Sequence, residues 1–342
     1  MTESELGELL EALPLPALLI GPRERILAMN ANASGLLGQG LVGRHYVAAL
    51  RQPALIDTIE GVGRDRLTRN VDYTSHDGDR DMIWAANVAV AGAGILVSFE
   101  DRTLAAEAGQ MRRDFVANVS HELRTPLTAL MGYIETLQGP ARNDQVARDR
   151  FLATMAGEAN RMNRLVQDLL SLSRVEAAAR VKPTEEVDLP SLIQQVKALL
   201  GTISAERETR IEFVPPPDPV VVPGDNDQLR QVFVNLLENA IKYGGGTVTV
   251  DLTVDPHIRE LRGPGVRIDI TDNGAGIDPL HLPRLTQRFY RVDTHRSREV
   301  GGTGLGLAIV KHILSRHRGR LRISSEIGQG SCFSVLLPTK TA

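Results

Sequence analysis

The run Phe115-Val116-Ala117-Asn118-Val119-Ser120-His121-Glu122-Leu123-Arg124-Thr125-Pro126-Leu127 lies within a longer pattern that decides the architecture. Apolar residues fall at Met111, Phe115, Val119, Leu123, Leu127, Leu130, Ile134 and Leu137, in steps of three and four. That spacing predicts one apolar face of a helix. After a break near Gly139-Pro140, a second series runs Leu152, Met155, Ala159, Met162, Val166 and Leu169. Its alternation of threes and fours is a heptad seam. Two such helices form a hairpin, expected over residues 104–176, with little core of its own. A second copy would complete a four-helix bundle and cover the seam.

The pattern changes on either side of the hairpin. A linker at 177–186 loses the seam and contains Pro183. From 187 to 340 strands and helices alternate: helices near Leu189–Leu200, Asp227–Tyr243 and Leu305–Arg316, and strands near Arg210–Val214, Thr247–Val254, Val266–Asp272, Leu321–Glu326 and Ser331–Leu337. This predicts an α/β sandwich with helices on one face of a mixed sheet. Before the hairpin, residues 11–103 mix strand-like runs (Leu15–Ile20, Arg25–Met29, Asp81–Val90, Ile95–Glu100) with glycine turns. They read as a small α+β domain.

The 342 residues, 42% hydrophobic and 24% charged, are enough for two or three globular domains. A net charge of -3 argues against broad attraction to nucleic acid. The single cysteine, Cys332, excludes an internal disulfide and, lying outside any Cys/His cluster, argues against a structural zinc site; its strand position reads as packing. No apolar run approaches the ~20 residues of a membrane span. The acidic start Met-Thr-Glu-Ser-Glu is no signal peptide, so the expected location is cytoplasmic.

Several residues carry chemistry. With Val119 and Leu123 facing inward, His121 projects outward, and a neutral imidazole is a competent nucleophile near neutral pH. Glu122 is placed to hold the ring tautomer or accept its proton. Thr125, one turn on, shares the side of His121 and is placed to orient a water. Pro126 removes a rung of the helical ladder. Downstream, Asn235 and Asn239 are four apart on one helix, so both carbonyl oxygens can face a magnesium ion. Lys242 adds charge for phosphates and Tyr243 a ring for a base. Asp272-Asn273-Gly274-Ala275-Gly276 ends a strand; Asp272 can accept from an adenine amine while Gly274 and Gly276 admit close backbone, although a tight turn alone has this form. Gly301-Gly302-Thr303-Gly304-Leu305-Gly306 leads into a helix and reads either as a loop or as a phosphate cradle. Between them, Arg288, Phe289, Arg291 and Arg298 lie on a polar stretch suited to a lid, or to a solvated loop.

The string Ser120-His121-Glu122-Leu123-Arg124-Thr125-Pro126-Leu127 resembles the H-box of HisKA-type sensor histidine kinases. The Asn helix resembles the N-box of their ATPase domain, and the motifs follow in the family's order over 104–338. The run Leu282 to Asp293 is most similar to the phosphate-regulon sensor kinases, which usually carry N-terminal membrane helices. Leu13 to Ile20, Ile26 to Ala33 and Leu41 to Arg44 loosely resemble a PAS domain. His45 and His76 read as ordinary polar residues there, and no cofactor is assigned to that domain.

The resemblance implies a multidomain protein: a PAS-like domain, a hairpin forming a dimeric four-helix bundle, and an ATP-binding α/β sandwich. It implies a protein-histidine kinase that autophosphorylates His121 from ATP with magnesium and transfers the phosphoryl group to an aspartate of a response regulator. Phosphatase activity toward that partner is expected as well. A non-catalytic signalling scaffold is disfavoured by the intact ATP motifs. A chaperone or DNA-repair ATPase of the same fold is disfavoured by the H-box.

Overall fold

The computed structural model describes residues 3–77, 80–178, 181–292 and 302–339. The chain divides into two compact units, Met1–Ala117 and Asn118–Ala342.

The first unit contains helices α1 (Glu3–Glu11), α2 (Ala31–Leu37) and α3 (Pro53–Asp65) and strands β1 (Ala17–Ile20), β2 (Ile26–Met29), β3 (Arg69–Asp77), β4 (Arg80–Ala91) and β5 (Gly94–Asp101). The strands form one antiparallel sheet in the order β2-β1-β5-β4-β3. Leu18, Ile26, Leu50, Leu55, Ile59 and Phe99 fill its core. Asn30 is a buried polar hub. Its Oδ1 accepts from Ala17 N (3.0 Å) and Ala33 N (2.9 Å), and its Nδ2 donates to the carbonyls of Leu10, Leu13 and Leu15. One side chain thereby satisfies backbone groups from the end of α1, the turn after it, β1 and α2. His45 pairs with Glu24 and His76 with Asp81, each at 3.0 Å and at the surface.

Helix α4 (Thr103–Gln138) begins two residues after β5 ends. Its start is tied to the sheet: Ile83 N donates to Thr103 Oγ1 (3.0 Å), Arg102 N donates to Ile83 O (2.8 Å), and Thr103 N donates to Asp101 Oδ1 (2.8 Å). The helix runs continuously through Pro126, where the imide nitrogen leaves one rung unmade. Helix α5 (Gln145–Ala177) returns after a turn, capped by Asp144 Oδ1 accepting from Ala147 N.

The remainder of the second unit contains α6 (Leu189–Leu199), α7 (Gly201–Glu206), α8 (Asn226–Tyr243) and α9 (Gly306–Arg316). Strands β7 (Arg210–Phe213), β9 (Thr247–Ile258), β10 (Gly263–Asp272), β11 (Arg320–Glu326) and β12 (Gly330–Pro338) form a sheet ordered β11-β12-β10-β9-β7. The β7–β9 pair is parallel and the others antiparallel, so the sheet is mixed. Phe233, Leu236 and Leu237 of α8 and Ile309, Val310 and Ile313 of α9 are buried, as are Ile268, Ile270 and Val335 of the sheet. A separate two-stranded sheet, β6 (Glu185–Asp188) with β8 (Val221–Gly224), lies in sequence outside the strands expected from periodicity. Among the described residues, no helix is long and apolar enough to cross a membrane.

The buried line of α5 differs from the predicted seam. Leu165, Leu172 and Val175 are buried, whereas Leu152 and Val166 of the seam are exposed. The C-terminal half of α5 packs against α9, which covers a different face of the helix.

Candidate active site

His121 is exposed on α4. One turn on, Thr125 Oγ1 donates to the His121 carbonyl (3.2 Å), which holds the hydroxyl along the helix. Glu122 is half-buried, and its Oε2 accepts from Arg161 of α5 at 3.0 Å and from Arg291 at 3.1 Å. The carboxylate expected to serve the His121 ring is thus held between two guanidinium groups. Arg161 also lies 3.7 Å from Glu158.

On α8, Asn235 Nδ2 donates to Gly306 O (3.3 Å), joining the Asn helix to the start of α9. Among the described residues this leaves the Asn235 carbonyl oxygen as its unspent acceptor edge. Asn239 follows one turn later and is half-buried. Lys242 pairs with Glu238 on the same helix, and Tyr243 is exposed at its end. The N-terminus of α8 is fixed by Asp225, whose Oδ1 accepts from Gln228 N and whose Oδ2 accepts from Arg316.

Asp272 is buried at the end of β10, and its Oδ1 accepts from Gly274 N (2.9 Å). Burial pushes its carboxyl above the usual range, while the backbone amides of Gly274 and Ser331 pull it back. The glycine requirement is steric at Gly276, where φ is +72° and a Cβ would stand 2.0 Å from the Glu326 carbonyl oxygen. At Gly304, also at φ +72°, a Cβ would stand 2.9 Å from Phe289 Cα. This close approach has a reason: Phe289 N donates to Gly304 O (2.8 Å), so lid and glycine loop are joined backbone to backbone. Phe289 itself has φ +63°, an uncommon conformation for an aromatic residue.

Gly302, Thr303 and Leu305 complete the loop before α9. Thr303 Oγ1 accepts from Leu305 N (3.3 Å) and donates to Asp168 of α5 (2.7 Å). Burial raises the Asp168 pKa, with the Thr303 hydrogen bond opposing the shift. Arg288 pairs with Glu176 of α5, which also lies 3.5 Å from His312. The Arg291 side chain is 6% exposed, and its Nε is buried with no partner among the described residues. Arg298 and Gly301 lie outside the described residues.

The fold therefore brings three sets together in one unit: His121 with Glu122 and Thr125, the Asn helix with the glycine loop, and the first part of the lid. A small space lined by Glu122, Pro126, Arg161, Met162, Leu165 and Thr303 lies between α4, α5 and the glycine loop. Arg161, Asp168 and Glu176 were absent from the sequence-based set. Isolated charges on a long helix give no signal of their partners, which lie 39 residues away for Arg161 and more than a hundred for Asp168 and Glu176.

Residues 224–341 match the family of histidine kinase-, DNA gyrase B- and HSP90-like ATPases, and residues 111–178 match the His Kinase A (phospho-acceptor) domain. The sensor-like histidine kinase SenX3 of Mycobacterium tuberculosis is 33% identical over 339 residues, which cover 95% of this chain and 78% of that protein. The chain belongs to the sensor histidine kinases. The phosphate regulon sensor protein PhoR of Pseudomonas aeruginosa is 43% identical over 241 residues, 70% of this chain and 53% of that protein. WalK of Staphylococcus saprophyticus is 39% identical over 327 residues, 92% of this chain and 52% of that protein. The chain thus spans about half the length of these last two relatives. Among solved structures, the Acinetobacter baumannii histidine kinase AdeS superposes with a TM-score of 0.51 at 25% identity, covering 65% of this chain and 98% of that one. Histidine kinase ThkA, solved with response regulator protein TrrA, shares the fold at a TM-score of 0.52 and 20% identity, covering 97% of this chain and 98% of that one. In this sensor histidine kinase, His121, Glu122 and Thr125 fall within the phospho-acceptor match, and Asn235 through Gly306 fall within the ATPase match.

Proposed function

We propose that this sensor histidine kinase transfers the γ-phosphoryl group of ATP to His121 and passes it to an aspartate on the receiver domain of a response regulator. The observation that carries this is Arg291. It is a buried guanidinium on the lid, it reaches the acceptor helix at Glu122 beside His121, and it keeps one N–H unspent for a further anion. A phosphate taken up by Arg291 would therefore lie beside the nucleophile, which is the proximity that phosphoryl transfer requires.

An imidazole nitrogen of His121 attacks the γ-phosphorus, the bond to the β–γ bridging oxygen breaks, and ADP leaves. Glu122 is the adjacent group for the second ring nitrogen and its proton. Asp272 recognises the adenine amine, and Tyr243 lies at the edge of the base site. The amides at the start of α9, with Gly302, Thr303, Gly304, Leu305 and Gly306, meet the phosphates. Arg288 and Arg291, with Lys242 and Arg298, neutralise the transferred charge. The carbonyl oxygens of Asn239 and Asn235 would hold a magnesium ion, which when bound would supply charge neutralisation at the phosphates. Thr125 orients the water that hydrolyses the partner's acyl phosphate.

The domains follow the same reading. The order β2-β1-β5-β4-β3, with helices between β2 and β3, supports a PAS-like sensor over 11–103. Residues 104–176 are the dimerisation and phosphotransfer hairpin, 177–186 the linker and 187–340 the ATP-binding domain. The apolar residues exposed on α4 and α5 support a homodimer. The likeness to PhoR supports phosphate-responsive signalling; the setting proposed for this chemistry is the cytoplasm, with no direct contact to nucleic acid.

His121→Ala should abolish acid-labile labelling from γ-labelled ATP while leaving nucleotide binding intact. Undiminished labelling of that variant would sink the assignment.

A further inference from the structure

Three acidic side chains of the helical hairpin end on the loops proposed above to hold phosphates. Glu122 of α4 accepts from Arg291 at 3.1 Å. Asp168 of α5 accepts from Thr303 Oγ1 at 2.7 Å. Glu176 of α5 pairs with Arg288. The three targets lie on two different loops, and each is a donor suited to an oxyanion. A carboxylate presents guanidinium and hydroxyl donors with the same kind of oxygen edge that a phosphate does.

Asp168 reaches further than its single hydrogen bond. The Thr303 hydroxyl gives its proton to Asp168 and takes the N–H of Leu305. The carboxylate is therefore linked through one hydroxyl to the N-terminal end of α9, the positive end of that helix. It is half-buried, so water screens it less from another anion at the same place than at the open surface. The surrounding packing makes the contacts collective. Leu165, Leu172 and Val175 are each less than 5% exposed and hold α5 in place. Ser171 Oγ adds a hydrogen bond to Gln231 of α8 (2.7 Å).

We propose that Glu122, Asp168 and Glu176 form an internal phosphate mimic: they hold the nucleotide loops against the hairpin and compete with the phosphates of ATP for the same donors. This rests on the nucleotide site described under the proposed function. Coupling between two binding events is reciprocal. Nucleotide phosphates loosen the grip of the hairpin on the loops, and the grip lowers nucleotide affinity. The exchange has a chemical consequence at His121. When a phosphate takes Arg291, Glu122 loses one of its two guanidinium partners and becomes available to the neighbouring imidazole. The same event that loads the nucleotide thus frees the group beside the nucleophile.

The test is calorimetric titration of the full chain with magnesium adenylyl imidodiphosphate, using wild type, Asp168→Asn, Glu176→Gln and the double variant. Each single change keeps the side-chain shape and removes one competing anion. Kd should fall roughly fivefold in each single variant and further in the double. Two independent carboxylates carry the test, so one misfolded variant leaves the other decisive. Unchanged or weaker binding in the variants overturns the proposal. So does reduced His121 labelling at unchanged affinity, which would assign these contacts to productive docking. A wild-type chain that fails to bind the nucleotide overturns the reading of the site itself, and this inference with it.

Discussion

At the scale of single residues, the site is built from side chains whose second partner fixes their first. Thr125 is the simplest case. Its hydroxyl donates to the His121 carbonyl, so the oxygen lone pairs face outward on the same exposed side as the imidazole. That orientation suits accepting a hydrogen bond from a water and does nothing for attack by the ring nitrogen. Thr125→Ala should therefore slow dephosphorylation of the partner by about tenfold while leaving His121 labelling nearly unchanged. The residue is exposed, so stability should shift by less than about 0.5 kcal/mol. Equal loss of both activities, measured with purified phosphorylated partner, would remove the water-orienting role. The residues legible from sequence share a property: their type is unusual for their place. A histidine on an outward face, two amides one turn apart and glycines crowding a helix start suggest chemistry only together, in the order that resembles the family's motifs. Glu176 and Asp168 announce nothing, because a charge on a long helix normally means only solvent. Their roles depend on Arg288 and Thr303, which chain folding brings to them.

Among the elements, periodicity located the long helices and central strands well and the weak elements poorly. Strand β3 reads Arg-Asn-Val-Asp-Tyr-Thr-Ser-His-Asp. As an edge strand it buries Tyr73 on its core side and leaves polar residues outward, which masks its alternation. Strands β6 and β8 are four residues each, and β8 contains Pro223 and Gly224, both poor strand formers. Helix α5 carries two overlapping apolar lines, and sequence spacing alone favoured the heptad line over the one that α9 covers. The junction of α8 and α9 holds a titratable element of its own. His317, at the end of α9, is fully buried. Its Nε2 accepts from Asp225 N (3.0 Å) at the start of α8, and its Nδ1 donates to Ile313 O (2.8 Å). Burial lowers its pKa, and Arg316 lowers it further, while the Ile313 hydrogen bond and Asp225 oppose the shift. The folded state thus holds the ring neutral. Its stabilising contribution is complete above the unfolded pKa of about 6.5 and is lost as pH falls through that value toward the lower folded one. The stability difference between wild type and His317→Gln should shrink as pH drops from about 8 to about 5, measured by denaturant unfolding. A pH-independent difference would mean that Nε2 does not act as a neutral acceptor.

For the whole molecule, the exposed apolar surface of the hairpin requires an occupant. Leu127 and Met131 of α4 are 50% and 56% exposed, and Ile134 is 42% exposed. On α5, Leu152 and Val166 are 50% and 41% exposed. These side chains follow the helical repeat rather than scattering, and they lie on lines other than the one α9 covers. A continuous apolar stripe of this kind left in water is unfavourable by about 25 cal/mol per Å² of the area that a partner would bury. A second hairpin presents the same two stripes, and a two-fold arrangement lets each copy cover the other. The Tyr133–Phe151 ring contact (5.4 Å between centroids) links the two helices near the turn, so the paired stripes enter the bundle already oriented. Ile134→Asp combined with Leu152→Asp would place two carboxylates per chain in that dry seam, where neither has a cationic partner from its own stripe. The variant should sediment as a monomer at micromolar concentration while still binding nucleotide, because the ATP domain has its own core in Phe233, Ile268 and Ile309. A variant that remains dimeric would place the self-association surface elsewhere. A wild-type chain that is monomeric at the same concentration would give the stripes to a different partner.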